Sequence, residues 1–221
     1  MLSNKDTLKE KASEQFVEGL AQAVTESIEE DARKQAEQLP STLSRGSIVP
    51  YSLATLFLAD RFYSKLGVGS FSGRLLVSWN GMDDFIFIPD KDKPFHYITS
   101  DNRVIQPRVM QTDGGSVPRI LRGLKQFSSW GYAPAFIVHD WLFTAKKCKH
   151  EPDTDWTFSQ SALVMAEAMK TLMEVGFINY EGKLEKLEKA EDTLYLMFLA
   201  VSSFIAEDLW EDDSSVHCLT H

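Results

Sequence analysis

Apolar residues recur along this chain with two different periods, and the change from one to the other divides it into parts. From residue 5 to 39, Leu8, Ala12, Phe16, Leu20, Val24 and Ile28 return every fourth position among Glu, Lys and Gln, and Pro40 closes the run. That spacing predicts an amphipathic helix. Its apolar stripe has two outlets: packing on its own domain, or docking against a partner protein or a second copy. Residues 40–50, with Ser41, Ser44, Gly46 and Ser47 between two prolines, read as a turn-rich linker. The expected organisation is therefore an N-terminal helical extension and linker over 1–46, a single domain over 47–210, and a frayed acidic tail over 211–221.

Within the domain the pattern starts as a second amphipathic helix over 51–66, built on Leu53, Leu56, Phe57, Phe62 and Leu66, and is broken by Gly67, Gly69 and Gly73. It then turns strand-like. Residues 74–79 and 85–88 flank Asn80-Gly81, a hairpin signal, and residues 95–99 and 104–109 flank Ser100-Asp101-Asn102-Arg103. Two hairpins forming a small antiparallel sheet are expected. The helical period returns over 156–175, with Leu163, Ala166, Met169, Met173 and Glu167 facing inward and Gly176 as the stop. A last helix is expected over 183–210, carrying Leu184, Leu187, Ala190, Leu194, Phe198, Val201, Ile205 and Leu209. The fold class is α+β, a small sheet packed on a helical C-terminal half.

The stretch 133–144, Ala-Pro-Ala-Phe-Ile-Val-His-Asp-Trp-Leu-Phe-Thr, departs from this amphipathic rule. Between Ala135 and Phe143 every side chain is apolar except His139 and Asp140. A helix apolar on nearly all sides must be enclosed, which puts an imidazole and a carboxylate in or beside the core. A carboxylate buried without a partner costs several kcal/mol, so Asp140 needs a donor, a cation or a metal. Neighbouring helix residues point about 100° apart, so the two cannot bond each other and each needs its own partner.

Composition narrows the setting. A hydrophobic share of 43% is that of a folded globular protein rather than a disordered one. The net charge of -9 argues against a nucleic-acid backbone or an anionic membrane as main partner. Residues 193–206, the longest apolar run, fall short of the roughly 20 needed to span a bilayer, and the charged N-terminus lacks the apolar run of an export signal. The two cysteines, Cys148 and Cys218, form no Cys-x-x-Cys motif and suggest no disulfide framework, which fits a reducing cytoplasm.

Ahead of the central helix lies Gln111-Thr112-Asp113-Gly114-Gly115-Ser116-Val117-Pro118-Arg119, a strand running into a glycine turn with Ser116 placed to cap a helix. Backbone N–H groups of Gly114, Gly115 and Ser116 in such a turn can hold an anion or oxyanion, and Asp113 can bind a metal or orient a base. An Asx turn with a simple cap is the plainer use. The pair of motifs, Thr112-Asp113-x-Gly115-Ser116-Val117-Pro118-Arg119 and then Ala135-x-x-x-His139-Asp140-Trp141-Leu142-Phe143, resembles a family of small phage and prophage proteins that share a domain of unknown function numbered thirteen fifty-three. The resemblance covers roughly residues 95–205. That family often carries an Ala-Asp pair early in the following helix; here the aspartate position falls at Ser161 or Ala162, with Asp155 the nearest acid.

The resemblance implies a phage-type protein in a bacterial cytoplasm, or associated with a virion, and a site without a settled reaction. Two readings stay open. Asp113, His139 and Asp140 have the parts for metal-assisted hydrolysis: Asp113 and Asp140 as ligands for calcium or zinc, His139 as base, and the turn amides as oxyanion donors. The alternative is a non-catalytic structural or host-interaction protein in which the same residues form a buried network.

Overall fold

The computed structural model describes residues 53–81, 84–112, 129–212 and 218–219. The expected helix over 5–39, its linker, and Asp113, Gly114, Gly115 and Ser116 lie outside the described residues. The architecture is α+β, as the hydrophobic pattern predicts. Helix α1 (Leu53–Lys65) is followed by strands β1 (Ser70–Ser72), β2 (Val77–Gly81), β3 (Asp84–Phe87), β4 (His96–Ile98), β5 (Val104–Ile105) and β6 (Met110–Thr112). Then come α2 (Ala133–Cys148), α3 (Phe158–Glu174), a hairpin of β7 (Phe177–Ile178) and β8 (Leu184–Glu185), α4 (Glu191–Val201) and α5 (Phe204–Glu211).

Both expected hairpins form, but they belong to separate sheets. Strands β2 and β3 pair antiparallel and β6 joins them, whereas β4 and β5 pair antiparallel with β1 on the other edge. Each hairpin thus gains a third strand from elsewhere in the chain, which a marginal two-stranded ribbon needs. Gly69 leads into β1 where a side chain has no room: a Cβ there would stand 2.2 Å from the Ile98 carbonyl oxygen and 2.5 Å from the Tyr97 hydroxyl. Its backbone N–H instead donates to Thr171 Oγ1 on α3.

Helix α2 is enclosed as its apolar surface demands, with Ala135, Phe136, Ile137, Val138, Trp141, Leu142 and Ala145 all buried. It packs against α3, which also packs against α4, while α4 covers α1. Pro134 sits in its first turn and Lys149, left-handed at φ 54°, closes its C-terminus. A capping box, in which Gln160 N donates to Thr157 Oγ1 and Thr157 N to the Gln160 side chain, starts α3. Buried Lys170 on α3 donates to the Tyr63 and Leu66 carbonyls at 2.9 and 2.8 Å, placing a cation at the C-terminal end of α1.

Three expectations are corrected. The helix predicted over 183–210 begins only at Glu191, because the preceding residues form the β7–β8 hairpin. There the Asn179 side chain accepts from Glu181 N and Lys183 N, and Gly182 takes φ 80° to close the turn. The same predicted helix also breaks at Ser202 and Ser203, whose hydroxyls donate back to the Leu199 and Ala200 carbonyls and so compete with continued helical bonding. Finally, Cys148 and Cys218 form a disulfide where no disulfide framework was expected, with Cα atoms 5.6 Å apart. It ties the tail, expected to be frayed, to the end of α2. A covalent loop closed across 70 residues removes about 4 kcal/mol of unfolded-chain entropy on the simple chain model. No helix among the described residues is long and apolar enough to cross a membrane.

Glu167 faces inward as expected and joins α3 to the β4–β5 turn. Its carboxylate accepts from the Tyr97 hydroxyl at 2.8 Å, the Ser100 N–H at 2.9 Å and the Ser100 hydroxyl at 2.5 Å. Glu167→Ala should therefore lower unfolding free energy by roughly 2 kcal/mol, checked by denaturant titration. A change under about 0.5 kcal/mol would show that solvent already satisfies these donors.

Candidate functional site

Strand β6 brings Thr112 to the side of α2. Met110 is buried beneath the helix, where the Thr144 hydroxyl approaches its sulfur at 3.9 Å, and two residues later the Thr112 hydroxyl donates to Asp140 Oδ2 at 2.5 Å. The carboxylate that needed a partner thus has one at the end of the strand, and the chain passes directly from Thr112 to Asp113. Asp140 is only partly buried. A charge-assisted bond of this length is among the stronger ones a hydroxyl makes.

His139 is turned elsewhere. Its ring is buried with 7% exposure, and Nδ1 lies 3.3 Å from the Ser161 carbonyl on α3, so the neutral ring with its proton on Nδ1 is the donor. The Phe143 ring stands 5.0 Å away, one turn along α2. Loss of hydration pulls the pKa of His139 down to about 4, against a smaller opposing pull from the Ser161 carbonyl. The ring is therefore uncharged at neutral pH. The structure brings Asp140 to Thr112, and His139 to Ser161, on two different neighbours of the helix.

Ser161 gives this placement a further meaning. It is one of the two positions at which the resemblance leads one to look for an aspartate, and both Ser161 and Ala162 are fully buried. A carboxylate beside the imidazole would favour its charged form more strongly than the Ser161 carbonyl does, and here the loss of hydration prevails. The nearest aspartate in sequence, Asp155, is exposed. Among the described residues no group of three or more His, Cys, Asp or Glu side chains is placed to hold a metal ion. Of the residues expected to carry calcium or zinc, Asp140 is described and Asp113 is not.

The sequence reading missed Asp153. It is buried with 5% exposure beneath α2, where the Trp141 indole N–H donates to Oδ2 at 2.6 Å. Burial raises its pKa, opposed by hydrogen bonds from the Trp141 and Trp156 indoles and by the charge of Arg108. Around it His150 stacks on Trp141 with ring centres 5.3 Å apart, and the Arg103 guanidinium lies 3.4 Å above the Trp156 ring. A signal was present: Trp141 on an enclosed helix needs an acceptor for its N–H, and the acidic loop just beyond α2 holds the nearest ones.

A family model described as "Protein of unknown function (DUF1353)" matches residues 91–176, a span running from just before β4 to just after α3 that includes Thr112, His139, Asp140 and Asp153. No curated protein and no solved structure matches the chain.

Two outcomes follow. Trp141→Phe keeps an aromatic ring but removes the donor to Asp153, and should cost roughly 2–3 kcal/mol by denaturant unfolding; a neutral result would mean that the Trp156 indole alone holds the carboxylate. The second concerns pH. An unfolded His139 binds its proton near 6.5 and the folded one near 4, so between these values the unfolded chain carries the extra proton. Stability should fall by roughly 3 kcal/mol as pH drops through that window. Asp153, with its raised pKa, works in the opposite sense, so the contribution of His139 is read as the difference between wild type and His139→Gln in unfolding curves from pH 7 to 4. Parallel curves would contradict it.

Proposed function

We propose that this chain is a non-catalytic phage-type protein, structural or host-interacting, in which His139 and Asp140 are framework rather than a reacting pair. The observation that carries this reading is their divergence: the neutral His139 ring is turned to the Ser161 carbonyl of α3, and the Asp140 carboxylate to the Thr112 hydroxyl of β6. A general base for water needs access to solvent and a pKa near the working pH. Burial holds the His139 pKa well below its ordinary value and leaves the ring very little exposed surface. The phage assignment rests on the two sequence motifs together with the family match over residues 91–176. The net charge of -9 favours protein partners over nucleic acid.

One observation favours a second reading, a metal-assisted hydrolase whose ion is held by Asp113 and Asp140. The Thr112 bond draws the Asp140 carboxylate to the residue immediately before Asp113, and two carboxylates with the amides of Gly114, Gly115 and Ser116 would suit a hard divalent cation. His139 would then orient the helix without touching the reaction.

Thermal unfolding of the full chain with calcium or zinc added separately distinguishes these readings. The framework reading expects no stabilisation by either ion, and a Tm loss of roughly 3–10 °C in both His139→Gln and Asp140→Asn. A rise in Tm with one ion that vanishes in Asp140→Asn would replace it with the metal site.

A further inference from the structure

The disulfide stands at the end of the helix that carries His139, and helix α5, which lies between its two cysteines, packs on Phe143 beside that residue. Helix α5 sets the buried Trp210 edge-on against Phe143 with ring centres 4.7 Å apart, and Phe143 in turn lies 5.0 Å from the His139 ring. The Phe158 ring at the start of α3 completes the contact at 6.1 Å from Trp210.

Among the described residues, Lys146 also ties α5 to α2. Lys146 Nζ donates to the Trp210 carbonyl at 3.1 Å and to the Glu211 carboxylate at 2.8 Å, and stands 4.8 Å from the Trp210 ring. Glu211 is largely exposed, so that ion pair adds little. An eight-residue helix does not persist unaided. The covalent bond to Cys148 keeps the segment close to α2, and of its two sulfurs the one on Cys218 belongs to an exposed residue while Cys148 is half-buried.

We infer that Cys148–Cys218 is a redox-sensitive latch, opened by a dithiol reductant, that holds the C-terminal strap over the Phe143–His139 face of α2. A thiolate of the reductant attacks the Cys218 sulfur, the S–S bond breaks, and Cys148 leaves as a thiolate that takes up a proton. The second thiol of the reductant then attacks the mixed disulfide, releasing Cys218. Two electrons and two protons pass from the dithiol, which becomes a cyclic disulfide, to the cystine. The latch operates whether His139 is framework or part of a reaction, because it changes only what packs on Phe143 beside the ring.

The test uses the full chain, first purified without reductant and assayed for free thiols, then treated with dithiothreitol. Hydrogen exchange is followed by mass spectrometry over residues 204–211, and diethyl pyrocarbonate labelling is read at His139 by peptide mapping. The expected result is no free thiol before reduction, then exchange in α5 faster by about tenfold and faster labelling of His139, with exchange in α3 unchanged. The double variant Cys148→Ser with Cys218→Ser should match the reduced protein without added dithiol. Two free thiols in the untreated protein that resist oxidation would overturn the latch. So would unchanged α5 exchange after reduction, or loss of protection throughout the chain, which would make the bond a general staple.

Discussion

Every polar group on an enclosed helix must find its partner within the protein, and this constraint on α2 accounts for much of the surrounding structure. His139, Asp140 and Trp141 leave the helix in different directions and meet the Ser161 carbonyl, the Thr112 hydroxyl and the Asp153 carboxylate, while the Thr144 hydroxyl bonds back to the Asp140 carbonyl of the same helix. The first three partners lie on α3, β6 and the loop after α2. Those three residues of α2 therefore act as a set of short struts, each fixing one neighbour against a surface that is otherwise apolar and without direction. Hydrophobic burial gathers the elements around the helix; the struts decide where each one stops.

The two titratable groups in this set show how burial acts on opposite charges. His139 is held neutral because hydration is lost and the Ser161 carbonyl offsets only part of that loss, whereas Asp153 has two indole donors and a nearby guanidinium to offset the same loss. Asp153 carries its charge against a raised pKa, and the cost is reduced by groups that are themselves large and well packed. The indoles serve both as core volume and as donors, which explains how a carboxylate can sit under α2 without a formal ion pair.

Much of this was legible from the residues. The run from Ala135 to Phe143 announced an enclosed helix, and the 100° rotation between successive residues announced that His139 and Asp140 would part ways, as they do. Glu167 facing inward, the Gly176 stop and both hairpins followed from periodicity and turn chemistry. What escaped depended on contacts distant in sequence. Leu184 and Leu187 fit a helical period, yet Asn179 and Gly182 impose a turn that the period does not reveal. The serine pair at 202–203 lies inside the helix expected over 183–210 and is a helix end. Two cysteines 70 positions apart give no spacing signal, so their pairing could emerge only from the packing of α5. Asp153 was hidden for a related reason: its burial is set by indoles, one of them twelve residues away.

The grip of Lys170 on α1 bears on how mechanical load would travel through the molecule. Chain continuity makes α1 the first described element after the whole N-terminal segment, and its far end is clasped by an ammonium rooted in α3. A tug applied ahead of Leu53 would pass along α1 into that clasp, and from there into the layer containing Glu167 and the β4–β5 turn. Load entering at Leu53 is thus met one helix length further on, at the end of α1 that Lys170 holds.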